Sequence, residues 1–537
     1  MKTIAELYPV PSKRESWRTR RTISDRSPEM SVAMGRTLAF FVQTGFPSFV
    51  KVAPSDIRIS TLEKPQKGKP SRPILEIGPG QDPEDIDLFL QRQFPPNAAN
   101  SELGADVLSA VHPAGISTET ARVMMKDISD IEARMIQFLA PVENSTRVAW
   151  DELDTVAPHF NLSYVVRSMT GTQRPNIVQI VQPGFFANAS RILLANTTEA
   201  TIQAFFMWKA IKKLAPWVGA EVTNRFALRR GGEDLTSPFQ TYSGNPDACI
   251  TAIDRGPWTR RVLPPDISTL SWALGRFFVE KSYSPEMRNA TTGVVRKLQQ
   301  HLSEKIRNST WLSERAKDIS ASRVDSVKLI LGYTDAFVDP FFLRDRAALL
   351  ATTLTDSNIG NAMAIARADT ARIWTTLARD EYYKVFMGPT TVNAVYSPFT
   401  HEISVPAGQR RSLSRDTLPA YATYGSYGGV LAHELGHIVD GSSLTVEEWD
   451  NKTRDAMRDR QTCLTYQYGN FTFTGSNGTA INVRGGLTLF ENTADQLSLP
   501  VSYAAWKDLQ RNPETRDQGL PGLESFTTDQ LFFLTCK

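Results

Sequence analysis

Apolar residues recur at three- and four-residue steps through most of the chain, the spacing of helices that bury one stripe. The clearest case runs from Thr118 to Ala140, where Val123, Met124, Ile128, Ile131, Met135, Phe138 and Leu139 alternate with Lys, Asp, Glu and Arg. Ser31–Lys51, Glu199–Trp217, Ile267–Lys281, Ser284–Ile306 and Ala362–Asp380 repeat the pattern, separated by stretches holding Pro, Gly and Asn. The expectation is an all-helical front lobe over 31–335. Residues 1–30 are polar and breaker-rich and predict no regular element. Pro65–Asp87, dense in Lys, Pro and Gly, predicts a long surface loop. The period changes between Val392 and Pro406, where two short β-branched and aromatic runs flank a Ser-Pro turn and predict a hairpin or edge strands. No fixed-period repeat or low-complexity tract interrupts this plan.

Chemistry enters at Gly428–Gly441, GGVLAHELGHIVDG, which carries His433, Glu434 and His437 as HExxH. Val430, Leu431, Leu435 and Ile438 give this helix a side to bury. A spacing of four puts both imidazoles on one face. Two neutral rings so placed can hold Zn²⁺ at about 2.0–2.1 Å, and the intervening Glu can reach a water on the same metal as general base. The bland alternative is a helix with two accidental histidines, on the order of one chance in a few hundred for so few His. The longer pattern, with a Gly and then a third His at three-residue steps, is absent, since Asp440 and Ser443 stand there.

A third ligand must come from elsewhere. Leu487–Pro500 offers Glu491 and Asp495, four apart, on a short helical stretch that Pro500 should limit. Such a pair is usually a solvated face, yet Leu487, Leu489, Phe490, Ala494 and Leu497 around it predict burial. Buried carboxylates need a cation or hydrogen-bond donors.

HExxH followed by Glu-Asn-x-Ala-Asp resembles the neprilysin and endothelin-converting-enzyme family of zinc endopeptidases. VNAVYSPFTHEISVPAG (Val392–Gly408), LPGLESFTTDQLFF (Leu520–Phe533) and the region Gly275–Phe337 are similar to that family in order and content. The resemblance runs from about Met34 onward and is densest over Asn393–Asp495. It implies a mainly α, two-lobed fold: a helical lobe over 31–335 after an irregular 1–30, then a thermolysin-like zincin lobe with a small β-element over 336–537. It implies one Zn²⁺ per chain on His433, His437 and Glu491, with Glu434 and Asp495 taking part in catalysis. Asp440 and Asp495 would accept hydrogen bonds from the liganding imidazoles. Asn393 and Ala394 would hold a peptide substrate like an added strand, and Val430 would line the pocket beyond the cut.

Some positions depart from the family. Its oxyanion donors, a His and an Arg, fall beyond Lys537, and both ends of the chain look trimmed by comparison, with the amino-terminal membrane anchor missing. Cys463 would lack its usual partner, Gly441 and Ser442 replace more polar residues, and Gln409 stands where an apolar residue is common. A zinc-binding relative with impaired catalysis, acting as a binding or scaffold protein, is therefore the alternative expectation.

Composition changes this picture little. At 41% hydrophobic and 22% charged the chain is ordinary globular protein, and a net charge of +3 gives no reason to invoke nucleic acid. The basic cluster Lys13, Arg14, Arg18, Arg20 and Arg21 reads as a solvated terminal segment. Asn-X-Ser/Thr occurs at Asn144, Asn161, Asn188, Asn196, Asn289, Asn308, Asn451, Asn470 and Asn477. About three would arise by chance, so the excess predicts the secretory pathway, as an extracellular or membrane-anchored ectodomain. Cys249, Cys463 and Cys536 are odd in number and leave at least one thiol unpaired or intermolecular.

Overall fold

In a computed structural model of the chain, described residues are 1–10, 28–58, 73–80, 98–139, 145–171, 177–194, 197–218, 250, 269–351, 355–378, 387–398, 400–413, 418–441, 448–474 and 480–536. Cys249, Ser442, the basic cluster at 13–21 and the sequons at Asn144, Asn196 and Asn477 lie outside them. The chain forms two compact units: Met1–Ser271 with Arg344–Lys384, and Trp272–Leu343 with Val385–Lys537. The lobes are thus interleaved along the sequence, and residues 272–335, expected in the front lobe, cluster with the second unit.

The first unit is built from α1 (Lys2–Leu7), α2 (Pro28–Thr44), α3 (Thr118–Gln137), α4 (Glu199–Leu214) and further helices. Amphipathic periodicity is sufficient for α3: Ser117 caps it by accepting from the Thr120 amide, and Met125, Ile128, Ile131 and Met135 face inward. Helix α4 is buried nearly all round, with Phe205, Phe206 and Met207 at 0% exposure. Two findings correct the expectation here. Residues 2–7 are helical and seat Ile4 in the core, next to a buried Tyr8. The lobe is also not all-helical, because β1 (Val50–Arg58), β2 (Pro73–Pro79), β3 (Ser145–Ala149) and β4 (Ile177–Val181) form a sheet in the order β1-β2-β4-β3. Strand β2 lies inside the segment expected to be a loop. Its Ile77 pairs with Val52 on one side and Ile180 on the other, and all three are buried.

The second unit carries α5 (Pro285–Arg307) and α6 (Glu314–Ser326), capped by Ser284 and Ser313. Its sheet has the order β5-β7-β6, from β5 (Lys328–Gly332), β6 (Val395–Ser397) and β7 (Glu402–Pro406). Strands β6 and β7 pair antiparallel with Tyr396 opposite Ile403, which is the expected hairpin. At its turn His401 takes a left-handed φ of 55°. The unit also holds helices α7 (Gly429–Gly436), α8 (Asn451–Gly469), α9 (Leu489–Leu509) and α10 (Thr528–Thr535), among others. Cys463 and Cys536 are both free thiols.

Helix α9 corrects the expectation that Pro500 ends it. The proline removes the amide that would bond the Gln496 carbonyl. Both Gln496 and Pro500 are exposed, which leaves that carbonyl open to solvent, and the helix continues.

Candidate metal centre

Helix α7 enters through a wide π turn, Tyr424–Gly428, and ends with His437 at its C-cap. Leu431, Leu435 and Ile438 are buried, at 1% exposure or less, while Val430 is half-buried. That leaves His433 and His437 on the remaining face, as the four-residue spacing requires. Helix α9 packs against α7 along a path of small residues. A Cβ at Gly436 would meet the Ala494 backbone at 3.1 Å, and one at Gly428 would meet the Ser502 hydroxyl at 2.9 Å. Glycine at both places lets the two backbones approach closely. The first turn of α9 then brings Glu491 to the histidines.

The resulting group is compact. The two Nε2 atoms lie 3.0 Å apart, and Glu491 Oε2 lies 3.1 Å from Nε2 of His433 and 3.6 Å from that of His437. Each ring's other nitrogen is occupied: Nδ1 of His433 by Asp495 Oδ1 at 2.7 Å, and Nδ1 of His437 by Asp440 Oδ2 at 2.7 Å. A carboxylate partner demands that Nδ1 carry the proton. Both Nε2 atoms are then lone pairs, facing each other and a third lone pair on Glu491. Three acceptors with no hydrogen between them repel unless a cation or added protons sit among them. His433, His437 and Glu491 therefore fit a zinc ion by the chemistry of the donor set.

Electrostatics agree. Burial lowers the pKa of each ring, but the Asp495 hydrogen bond at His433 and the Asp440 hydrogen bond at His437, with neighbouring carboxylates, outweigh it and leave both raised. The site attracts positive charge. Asp440 is fully buried, and its main-chain carbonyl accepts from Gln461 Nε2 at 3.0 Å. Glu434, 6% exposed, has its carboxyl pKa raised by burial, with His437, His433 and the backbone of Tyr396 pulling it back. Contrary to the expected burial, the Glu491 and Asp495 side chains are 63% and 59% exposed. Leu487 at 76% and Phe490 at 43% are exposed beside them. Leu487 and Phe490 thus line an open face instead of enclosing the carboxylates, while Ala494 alone of these neighbours is fully buried.

Asn393 and Ala394 lead directly into β6, the edge strand, which packs with β7 on α7. Asn393 is exposed and its Oδ1 accepts from the Ala394 amide at 2.9 Å. Among the described residues no hydrogen bond joins either to the His–Glu group. Reading the sequence missed the Tyr396 backbone beside Glu434 and the Ser502 contact. Only the small residues Gly428, Ala432 and Gly436, matched by Ala494, Ser498 and Ser502, could have signalled the close helix pair.

The sequence pattern of peptidase family M13 matches residues 9–334 and again 393–536. The chain belongs to peptidase family M13. Among M13 relatives it is 25% identical over 445 residues to endothelin-converting enzyme 1 of Bos taurus, covering 78% of this chain and 55% of that one. To neprilysin-3 of Drosophila melanogaster it is 23% identical over 452 residues, with 78% and 54% covered. The chain spans about half the length of these relatives. In fold it resembles the zinc metalloprotease Zmp1 of Mycobacterium tuberculosis, with a TM-score of 0.68 at 19% identity over 96% of this chain and 75% of that one. PepO from Lactobacillus rhamnosis gives 0.66 at 15%, covering 95% and 82%. The M13 assignment agrees with the family resemblance read from HExxH and Glu-Asn-x-Ala-Asp, and the neighbours share its mainly helical metalloprotease fold.

Proposed function

We propose that this chain is a zinc-dependent endopeptidase, with one Zn²⁺ held by His433, His437 and Glu491. The observation that carries the reading is the convergence of three lone-pair donors, their tautomers set by Asp440 and Asp495, beside a buried carboxyl at Glu434. Bound there, zinc would polarise a scissile carbonyl and acidify a water. Glu434 accepts the attacking water's proton at a carboxylate oxygen and delivers it to the leaving amine nitrogen. Its raised pKa suits both halves of that transfer, since a carboxylate with a low pKa returns a proton reluctantly. Asp440 and Asp495 hold the imidazoles as Nε2 donors throughout.

The substrates are peptides, aligned along the free edge of β6 by Asn393 and Ala394, with Val430 beside the residue after the cut. The catalytic role is assigned to the second unit. The exposed sequon residues Asn188, Asn289, Asn308, Asn451 and Asn470 support placement in the secretory pathway. Asn161 fits less well, being half-buried with its side-chain amide donating to the Ser31 carbonyl at 3.4 Å. No described helix is long and apolar enough to cross a membrane.

Zinc content and turnover test the reading together. The natively purified chain should hold close to one zinc, and a fluorogenic peptide should be cut far faster than by Glu434→Gln. Zinc near zero in folded protein removes the metalloenzyme reading; zinc present with equal turnover in the two proteins removes catalysis alone.

A further inference from the structure

Ser502 lies eleven positions after Glu491 on α9, about 16 Å along the helix, yet it bears on the metal group. It is fully buried, and its Oγ donates to the Tyr424 carbonyl at 2.5 Å. Tyr424 opens the π turn that feeds α7, a place where the regular helical ladder is loosened and a carbonyl can take an outside donor. Between the two close contacts, Gly428 with Ser502 and Gly436 with Ala494, lie Ala432 and Ser498, both buried. This line of the contact is smooth. Interlocking side chains normally fix how far one helix slides past another; along this line of Gly, Ala and Ser none protrudes, while the larger Leu431, Leu435, Leu497 and Val501 share the apolar cluster of the unit.

A smooth contact fixes distance well and axial register poorly. Register matters here, because one turn of slip moves a side chain about 5.4 Å, more than the whole span of the three ligand atoms. Among the described residues, the other side-chain hydrogen bonds between α7 and α9 come from Glu491 and Asp495 themselves, at the far end of the contact and exposed. Ser498 does not contribute one, since its hydroxyl donates to the Asp495 carbonyl on its own helix at 2.8 Å.

We propose that Ser502 is a positioning residue for the metal centre. Its hydrogen bond to the π-turn carbonyl sets the register of α9 on α7, and so holds Glu491 at Nε2 of both histidines and Asp495 at Nδ1 of His433. The proposal rests on the reading of His433, His437 and Glu491 as a metal site.

The test uses the full chain as wild type, Ser502→Ala, Ser502→Cys and, as a control, Ser498→Ala. Zinc affinity is read by competition with a chromophoric chelator, and ligand geometry by the visible bands of the Co²⁺-substituted protein. Ser502→Ala should weaken zinc binding about tenfold or more, the range seen when groups that orient ligands are removed, and should shift and weaken the Co²⁺ bands. Ser502→Cys, similar in size with a weaker donor, should fall between, and serves as the test if the alanine variant does not fold. Ser498→Ala should match wild type. If Ser502→Ala and Ser502→Cys melt lower but bind zinc within twofold of wild type with unchanged Co²⁺ bands, Ser502 is only a packing residue and the proposal fails. A wild-type chain that binds neither metal overturns the metal reading, and this one with it.

Discussion

In the first unit the Glu132 carboxylate, 6% exposed, lies 2.7 Å from Lys209 Nζ and 2.6 Å from Lys212 Nζ, both ammonium groups fully buried on α4. In the second unit Glu491, Asp440 and Asp495 gather round two imidazoles. Among the described residues no Lys or Arg pairs with Glu491 or Asp495. Both clusters set carboxylate against basic nitrogen. One carries its own cations, and desolvation has already been met by built-in partners. The other has imidazole lone pairs where a cation is wanted, and would become electrostatically complete by acquiring one from solution. The contrast separates charge that serves the fold from charge that serves a ligand.

Substitutions can break that contrast in order of size. Glu434→Gln should lower turnover of a fluorogenic peptide by about 10³-fold while the chain keeps its zinc, because proton transfer is lost and the ligands remain. Glu132→Ala should cost about 3 kcal/mol in denaturant unfolding by removing the carboxylate that two buried ammonium groups share, with zinc affinity of the folded fraction unchanged. Asp440→Asn should weaken zinc binding about 10- to 100-fold in chelator competition and leave metal-free stability nearer to wild type than Glu132→Ala does.

The smallest effect is in pH. The raised pKa values of His433 and His437 mean that, without metal, their protonation stabilises the fold below the ordinary value of 6.5 and fades as pH climbs through the raised values. Zinc must displace those protons. The rise in melting temperature on adding zinc should therefore grow with pH across that window, and a rise independent of pH would mean the histidines are not ligands.

How much of this was legible beforehand varies with the strength of the local signal. HExxH and the hairpin of β6 and β7 are short-range patterns, and their geometry follows from periods of four and two. The front sheet was invisible for the opposite reason. Strands β3 and β4 have five residues each, too few for alternation to stand out, and β2 lies between prolines in a segment that composition marks as loop. Residues 1–30 read as irregular on their polarity, although Ile4 and Tyr8, with Met1 and Ala5 beside them, dock the first turns on the core. At Glu491 and Asp495 apolar neighbours were taken as a sign of enclosure. Leu487 and Phe490 point outward, a choice set by how α9 meets α7 and by nothing within the segment itself.

That open side has a kinetic meaning. The two imidazoles are anchored on a buried helix, whereas the third arm, Glu491, stands mostly in solvent. If the group holds an ion as proposed, a competing chelator would reach it first from the carboxylate side. With a metal held there, exchange would depend on the concentration and shape of the competitor as well as on the strength of the bonds being replaced.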